Sequence, residues 1–325
     1  MTDVPQGPSA PTASSNDLPT ESMGVLVMAY GSPSSIDEVL PYYTHIRRGR
    51  APTEEQLNDL IRRYEAIGGV ERLPLATQAQ RNALTEALTN AVGHEIPVEI
   101  GQKHAFPYVE DGVRALAEAG VKHIVGVVMA PHFSRGSVGT YLDRAIEEAQ
   151  EVGLTMSTVH RWWDLDPFVE FYGTHLRELV DSCTGPVHTL FTAHSLPERV
   201  LVDDPYADEL HASAAAIAAR AGISRWADWG VCWQSAGRTH EVWRGPDILD
   251  VISDLAETGR GQTVIVCAQG FTANHLEVAY DVDIEARQHA NSLGLELKRV
   301  PTIEAHPPTM AAIAERILAS RVDPS

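Results

Sequence analysis

The chain has 325 residues, 44% of them hydrophobic, and a formal net charge of −19. This length allows one large domain or two lobes of ordinary size, each with its own core. Because nucleic acids and anionic membrane surfaces are negatively charged, a chain this acidic is a poor partner for either. No apolar run approaches the ~20 residues of a membrane-spanning helix, so we predict a protein that binds neither nucleic acid nor membrane.

The first 22 residues are rich in proline, serine and threonine and poor in large apolar side chains. They lack the basic start and the apolar stretch of a signal peptide, so we predict a disordered tail over residues 1–22 and a cytoplasmic location. The three cysteines, Cys183, Cys232 and Cys267, are far apart and show no C-x-x-C spacing. Cys232 and Cys267 lie in apolar, strand-like runs, so we expect buried thiols there, and the spacing supports neither a zinc site nor a disulfide framework.

From Met23 onward, short apolar runs alternate with amphipathic stretches, and Thr53 with Gln56 forms a capping-box signature at the start of one of them. The predicted strands are 23–31, 98–104, 123–132, 154–160, 186–194, 226–235, 262–270 and 295–300. The predicted helices are 53–69, 77–92, 108–120, 137–153, 206–222, 246–259, 274–293 and 309–320.

Several of these strands are apolar on both faces, which is typical of parallel sheets covered by helices on both sides. We therefore predict an α/β protein with two doubly wound lobes joined near residues 162–168. The lobes are assigned to residues 23–163 and 164–304, and residues 305–325 to a C-terminal helix that packs back on the first lobe.

The motifs G-x-G-x-x-G and G-x-x-x-x-G-K-[ST] are absent after every predicted strand, so neither a dinucleotide enzyme nor a phosphate-loop enzyme is indicated. Ligands of open α/β sheets bind beyond the carboxyl ends of the strands. The polar candidates at those ends are Tyr30, Lys103, His104, His132, His194, Gln234 and Ser235.

His194 ends a predicted strand and is followed by S-L-P-E. Pro197 fixes its own φ and restricts Leu196, so the strand has a rigid exit. Such an exit suits an imidazole that is aimed at a ligand, and it suits an ordinary structural turn as well.

Glu277, Asp281 and Glu285 are spaced i, i+4 and i+8, which on a helix makes one acidic stripe. Like charges at that spacing oppose each other, so the stripe is either a solvated helix face or a track of oxygen ligands for a divalent cation. His275 and Glu277 stand at its head, and a carboxylate with an imidazole is a suitable ligand set for ferrous iron or zinc.

Residues 42–55, Y-Y-T-H-I-R-R-G-R-A-P-T-E-E, form a segment that we name the lip. Its first nine residues are basic and aromatic in an otherwise acidic chain. Arg47, Arg48 and Arg50 are either scattered surface charges or the receiving edge for a flat anionic ligand, because guanidinium groups match carboxylates and aromatic faces match a flat ring.

Seven stretches, "MAYGSP", "RRYEAIGG", "GQKHAFPY", "APHFS", "TAHSLPE", "WQSAG" and "HLEVAYD", follow one another along most of the chain. With them the sequence resembles the ferrochelatase family, most closely the bacterial coproporphyrin III ferrochelatases. The resemblance implies two similar Rossmann-like lobes of the chelatase type with a porphyrin cleft between them. It also implies an enzyme that inserts ferrous iron into a free-base porphyrin.

The resemblance also implies roles for individual residues. His194 and Glu277 would be catalytic groups and metal ligands on one face of the macrocycle, and Tyr30 on the opposite face could be an axial ligand of the product iron. The further roles implied are metal contacts for Asp281 and Glu285 and substrate contacts for Arg47, Arg63 and Tyr64.

Two substrate positions depart from the family pattern. Phe133 stands where the pattern has a tyrosine that would hold a propionate, and Glu71 stands where it has a serine. A carboxylate at Glu71 would repel a propionate unless Arg72 takes over. Three scattered cysteines cannot supply the four-cysteine iron–sulfur cluster of some relatives, so we predict no cluster and no cofactor beyond the substrate iron.

The charged lip favours coproporphyrin III, with its four carboxylates, and hence Fe-coproporphyrin III (coprohaem) as a product in haem biosynthesis. The alternatives are a protoporphyrin IX ferrochelatase and a non-catalytic haem or porphyrin carrier, which would need Tyr30 but not His194 or Glu277. A chelatase for a corrin-type precursor should lack both the lip and the acidic stripe. We expect a monomer with a downstream coprohaem decarboxylase as its partner.

Overall fold

The computed structural model describes residues 19–223 and 228–321. Most of the predicted N-terminal tail, residues 1–18, lies outside these ranges, and Thr20–Ser22 form one turn of 3-10 helix. The predicted strand at 226–235 also begins outside them. Within the described ranges, no helix is both long enough and apolar enough to cross a lipid bilayer.

The first half forms a four-stranded parallel sheet with the order β2-β1-β3-β4. Its strands are β1 (Met23–Ala29), β2 (Val98–Gln102), β3 (His123–Val128) and β4 (Thr155–Val159). Its helices are α1 (Val39–Ile46), α2 (Glu54–Ala66), α3 (Arg72–Val92), α4 (Val109–Glu118) and α5 (Thr140–Glu151).

The second half repeats this arrangement with the order β6-β5-β7-β8, again all parallel. Its strands are β5 (Val187–His194), β6 (Trp229–Gln234), β7 (Thr263–Cys267) and β8 (Glu296–Arg299). Its helices are α6 (Asp166–Asp181), α7 (Tyr206–Ala221), α8 (Ile248–Thr258), α9 (Leu276–Ala279), α10 (Arg287–Ser292) and α11 (Pro307–Ala319).

β1 and β5 occupy the same place in their sheets, with the next strand of the chain on one side and the one after it on the other. Such a strand is a topological switch point, where the connections leave in opposite directions and a crevice opens. Tyr30 follows β1, and His194 is the last residue of β5. The repeated topology therefore brings these two side chains to equivalent positions of the two sheets.

One hydrophobic cluster connects the halves. It combines buried side chains of β1 and β3 with those of β5 and β7, through α3, α6 and α11. α11 packs on α3. Each fully buried aliphatic or aromatic side chain stabilises such a core by roughly 1.5–3 kcal/mol, so this shared packing holds the two sheets in a defined relation.

The start of α2 agrees with the sequence. The N–H of Gln56 donates to Thr53 Oγ1 at 3.3 Å, and the N–H of Thr53 donates to Gln56 Oε1 at 3.0 Å, so the predicted capping box is confirmed. The start predicted for α3 near Thr77 is wrong, because the helix begins at Arg72. Pro74 is tolerated there since N–H groups of a first turn have no helical acceptor.

The uniform helix predicted over residues 274–293 is wrong in its middle. α9 passes into a π-helical segment, Asp281–Ala286, before α10 begins. The N–H of Glu285 donates to the carbonyl of Tyr280 at 2.9 Å, which is the i→i+5 pattern of a π turn. The predicted acidic stripe therefore changes helical geometry between Glu277 and Glu285.

Candidate active site

A cleft opens beyond the carboxyl ends of the two sheets, with a cavity volume of about 330 Å³. This is the location and the size expected of a small-molecule site in α/β proteins. Both halves contribute to its wall. The first half provides Tyr30, Tyr42, Tyr64, Arg72, Lys103 and Tyr141, and the second provides His194, Tyr206, Trp243, His275 and Glu277.

His194 and Glu277 meet in this cleft. His194 Nε2 lies 3.4 Å from Glu277 Oε1, and His194 Nδ1 lies 2.5 Å from the carbonyl oxygen of Ser195. Burial alone would lower the pKa of His194, but Glu277 and the Ser195 carbonyl outweigh it and raise that pKa to about 9. Burial would raise the pKa of Glu277, but His194 and His275 hold it below its ordinary value. At neutral pH the pair is therefore imidazolium and carboxylate.

The predicted rigid exit of β5 is reinforced by neighbouring segments. Pro197 forms an isolated antiparallel bridge with Trp243, whose ring centroid lies 6.4 Å from that of His194. The hydroxyl of Tyr206 donates to the carbonyl of His194 at 3.2 Å. The imidazole is thus held by backbone contacts on both sides and faces the cleft.

Two polar residues at the end of β6 position the acidic side chains. Gln234 Nε2 donates to the backbone carbonyl of Glu277 at 2.6 Å. Ser235 has a φ of 60°, and its hydroxyl donates to Asp281 Oδ2 at 2.5 Å. Both strand-end residues that the sequence indicated here therefore hydrogen-bond to the segment that carries the acidic side chains.

Tyr30 belongs to the first half, and its side chain is 40% exposed in the open cleft. Its ring centroid lies 4.7 Å from that of His104. The segment after β2 passes close to Gly31, because a Cβ at Gly31 would lie only 2.9 Å from the Cβ of Ala105. Gly31 also has a φ of 90°, which favours glycine. Desolvation, and secondarily the charge of Glu277, raise the pKa of Tyr30 above its ordinary value, so it is a neutral phenol at neutral pH.

Asp281 and Glu285 do not join His194 and Glu277 in one cluster. Asp281 is buried, and burial, with smaller contributions from Glu277 and Glu285, raises its pKa to about 7. Asp281 Oδ1 lies 3.2 Å from Arg63 Nη1. Across the described ranges, no three His, Cys, Asp or Glu side chains converge in a geometry that could hold a metal ion. The four residues predicted as metal ligands thus form a cleft pair and an outer pair.

Some of the residues predicted to contact substrate line the cleft, and others lie outside its wall. Tyr64 lines the cleft, whereas Arg47, Arg63, Glu71 and Phe133 are not part of its wall. The guanidinium of Arg47 lies over the ring of Tyr43, 5.5 Å from its centroid.

Phe133 and Glu71 lie beside the cleft. The ring of Phe133 stacks on His160 with a centroid distance of 5.2 Å. Glu71 is exposed next to the start of α3, with its carboxylate over Gly69, a residue of the cleft wall. Their predicted roles in substrate binding remain predictions.

Lys103, one of the strand-end candidates, forms a polar corner of the cleft with Tyr141, which the sequence did not indicate. Lys103 Nζ donates to Thr140 Oγ1 at 2.6 Å and lies 4.7 Å from the ring centroid of Tyr141. Burial, with help from Arg144 and Arg48, lowers the pKa of Lys103 to about 8. No carboxylate pairs with Lys103 within the described ranges. Tyr141 is buried on α5, and its helix face borders the cleft.

The family model described as Ferrochelatase matches residues 22–321. The chain belongs to the ferrochelatase family. It is 41% identical over 304 residues to the coproporphyrin III ferrochelatase of Bacillus subtilis (strain 168), covering 91% of this chain and 97% of that one. It is 40% identical over 304 residues to the coproporphyrin III ferrochelatase of Anoxybacillus flavithermus (strain DSM 21510 / WK1), covering 91% and 95%.

Among solved structures, SirB from Bacillus subtilis with Fe3+ matches with a TM-score of 0.54 and 14% identity, covering 92% of this chain and 95% of that one. At this identity the match concerns the fold alone. The predicted family, the two-lobed α/β fold and the activity class, an enzyme of metal insertion into porphyrin, are confirmed.

Proposed function

We propose that this ferrochelatase inserts ferrous iron into coproporphyrin III and releases Fe-coproporphyrin III in haem biosynthesis. The proposal rests above all on the His194–Glu277 pair, which faces the cleft at 3.4 Å. A free-base porphyrin must lose two N–H protons as Fe2+ enters, so the site needs proton acceptors beside a place for the metal. An imidazole next to a carboxylate supplies both.

In this mechanism His194 and Glu277 face the pyrrole nitrogens from one side. Glu277 stabilises the imidazolium, so the proton held by His194 stays within the pair until the dication approaches. The positive charge of Fe2+ then drives that proton into the solvent of the open cleft, and the neutral imidazole and the carboxylate each accept one pyrrole proton. Glu277 afterwards gives its proton to the solvent, while His194 keeps its own and returns to the resting imidazolium. The overall balance is one Fe2+ taken up and two protons released.

Tyr30 would serve the opposite face of the macrocycle, because it follows the strand equivalent to the one that ends in His194. As a neutral phenol it leaves the ring nitrogens free for the incoming metal. Once iron is bound, its hydroxyl oxygen would contact the metal from that face. This assignment rests on the symmetry of the two sheets and on the opening of Tyr30 into the cleft.

Cationic side chains support a carboxylated substrate. Arg72 and Lys103 line the cleft, and Lys103 has a pKa of about 8, so it is charged at neutral pH. With the hydroxyl of Tyr141 it forms an anion-binding corner, since a propionate accepts hydrogen bonds from an ammonium and a phenol. This corner would offset the loss of contacts at Phe133 and Glu71.

The same proposal covers partners and location. Coprohaem keeps its four carboxylates, so the next enzyme must remove some of them if haem is the end product, and we propose a downstream coprohaem decarboxylase as the partner. We also propose that the chain acts as a monomer in the cytoplasm, with Fe2+ as its substrate and no further cofactor. The molar mass of the purified chain, measured by light scattering, tests the proposed monomeric state.

Anaerobic insertion of Fe2+, followed by the change in porphyrin absorbance, tests the substrate. Coproporphyrin III and protoporphyrin IX are compared at equal concentrations with the same protein, freed of metals by a chelator. We expect faster turnover with coproporphyrin III. Equal or reversed rates would contradict the proposed substrate while leaving the family assignment untouched.

A further inference from the structure

Two histidines of the first half lie side by side next to the cleft. His45 is in the last turn of α1, within the lip, and His104 follows β2. His45 Nδ1 lies 3.0 Å from His104 Nδ1. The ring centroids are 5.2 Å apart, and the ring planes are inclined by 72°. Neither residue belongs to the cleft wall, so this pair is separate from the His194–Glu277 pair.

The two imidazoles differ in how firmly they are held. The backbone N–H of His104 donates to the carbonyl of Tyr30 at 3.0 Å, and the rings of these two residues have their centroids 4.7 Å apart. His45 is exposed, with its ring centroid 5.3 Å from that of Tyr108. The pair thus combines a fixed imidazole with an exposed one that can turn about its side-chain bonds and meet an ion from solvent.

His104 is ready to bind a metal at neutral pH. Burial, and secondarily the charge of Lys103, lower the pKa of His104 to about 3, so its imidazole is neutral. A neutral imidazole carries its hydrogen on one ring nitrogen and a lone pair on the other. When the hydrogen is on Nε2, the lone pair of Nδ1 faces His45. A change of tautomer is therefore enough to make His104 Nδ1 a ligand, without the loss of a proton.

The separation of the two Nδ1 atoms matches that of two ligands on one metal ion. Zinc binds imidazole nitrogen at about 2.0–2.1 Å, so two such ligands at angles between right-angled and tetrahedral lie roughly 2.9–3.3 Å apart. The observed 3.0 Å falls within this span. A tilt of the exposed His45 ring lets both lone pairs converge on one ion, and water from the solvent side completes the coordination.

The surroundings of the pair select among metals. The charges of Lys103 and Arg144 both lower the pKa of His104, so they also oppose a dication beside it. Only an ion with a strong preference for imidazole nitrogen overcomes this repulsion. Fe2+ binds nitrogen ligands more weakly than Ni2+, Cu2+ or Zn2+ does, and Mg2+ prefers oxygen. The pair therefore favours the late transition metals over the iron of the proposed function.

We propose that His45 and His104 form a binding site for a late divalent transition-metal ion, of the class of Zn2+, Ni2+ and Cu2+. The bound ion joins the lip to the segment that follows β2 through one bond to each Nδ1. The site takes metals that compete with iron, and it lies outside the cleft in which iron is handled. Neither histidine has a role in the proposed function, so the inference does not depend on it.

Zinc binding without porphyrin tests the site. Zn2+ is titrated into the full chain, freed of metals, in competition with a chromophoric chelator, which gives the number of ions bound. The variants are His45→Gln, His104→Gln and the double variant, in which glutamine keeps a polar side chain but removes the imidazole. Each single variant should lose one equivalent of Zn2+. The double variant should lose no more than either one, because one imidazole alone does not chelate.

Three controls locate the effect. His211→Gln, at an exposed histidine of α7, should bind as much Zn2+ as the wild type. In a His194→Gln background, His45→Gln should still remove one equivalent, because the cleft pair and this pair are separate. An equal concentration of Fe2+, added anaerobically, should leave the Zn2+ of this site in place. Circular dichroism and thermal melting establish that each variant is folded.

A wild-type number of Zn2+ ions in folded His45→Gln or His104→Gln would overturn the inference. Losses that add up in the double variant would overturn it as well, because they would mean two independent imidazoles instead of one chelating pair. Displacement of this Zn2+ by equal Fe2+ would contradict the selection of late metals. A chain that proved inactive with coproporphyrin III could still show the Zn2+ effect, so the two proposals fail independently.

Discussion

The two halves of the molecule share one strand order but carry different chemistry at their switch points. The first half presents phenols and cations to the cleft, with Tyr30 after β1 and Lys103 after β2. The second half presents an imidazole and a carboxylate, with His194 at the end of β5 and Glu277 in α9. A repeated fold thus supplies two equivalent edges. In the function proposed above, the side chains of the first half hold the porphyrin and those of the second half handle metal and protons.

The most severe test of this division removes the imidazole. His194→Ala should lower turnover by about 10³, in the middle of the range for general acid–base catalysis. That corresponds to about 4 kcal/mol of barrier. Anaerobic Fe2+ insertion measures the rate, and fluorescence quenching of the free-base porphyrin measures binding.

If the first half holds the porphyrin, His194→Ala should bind coproporphyrin III with nearly the wild-type affinity. His211→Ala, an exposed histidine on α7, is the control and should leave turnover unchanged. If His194→Ala retained turnover within about tenfold of the wild type, the proton-handling role of the second half would have to be abandoned.

The converse test removes the cation from the first half. Lys103→Met should raise the KM for coproporphyrin III by about tenfold, the loss of one charge-assisted contact. The kcat should change little, and protoporphyrin IX, with two carboxylates fewer, should be less affected. Lys122→Met, at an exposed lysine just before β3, is the matched control. A fall in kcat at constant KM would show that the halves do not divide the work as described.

Much of this division was predictable from the sequence, because strand ends in α/β sheets are few and polar residues stand out there. Tyr30, Lys103 and His194 were found in this way. Tyr141 was not, because a tyrosine on the buried face of a helix has the same pattern whether it borders a core or a cleft.

The partners of Arg63 could not be predicted for a different reason. Asp281 lies 218 positions away along the chain, and their meeting depends on how the two sheets are packed against each other. The change to a π segment within residues 274–293 likewise leaves no periodic signal in the sequence, because the apolar spacing remains that of a helix. Local pattern predicts elements and their ends, whereas contacts across the cleft require the assembled fold.

The pH dependence of binding sharpens the role of Lys103 further. Its pKa of about 8 is below that of a free lysine, so the ammonium is present below pH 8 and is lost as the pH rises through that value. Equilibrium binding of coproporphyrin III, measured without iron, should weaken between pH 7 and 9. Lys103→Met should lose the part of this change centred near pH 8 and keep the part that begins as His194 approaches its pKa of about 9. A wild-type profile that weakens no more than that of the variant would exclude Lys103 as a carboxylate contact.

The smallest expected effect concerns Glu71, the acidic residue at the edge of the first half. Its exposed carboxylate lies over Gly69 in the cleft wall. It should repel a propionate only weakly, because solvent and salt screen an exposed charge. Glu71→Ser should lower the KM for coproporphyrin III by about two- to threefold, as expected for one exposed charge. Glu65→Ser, at an exposed acid of α2, should have no effect. A larger KM in Glu71→Ser would mean that this carboxylate assists binding, for instance by orienting Arg72, and that the first half holds its substrate through paired charges instead of through cations alone.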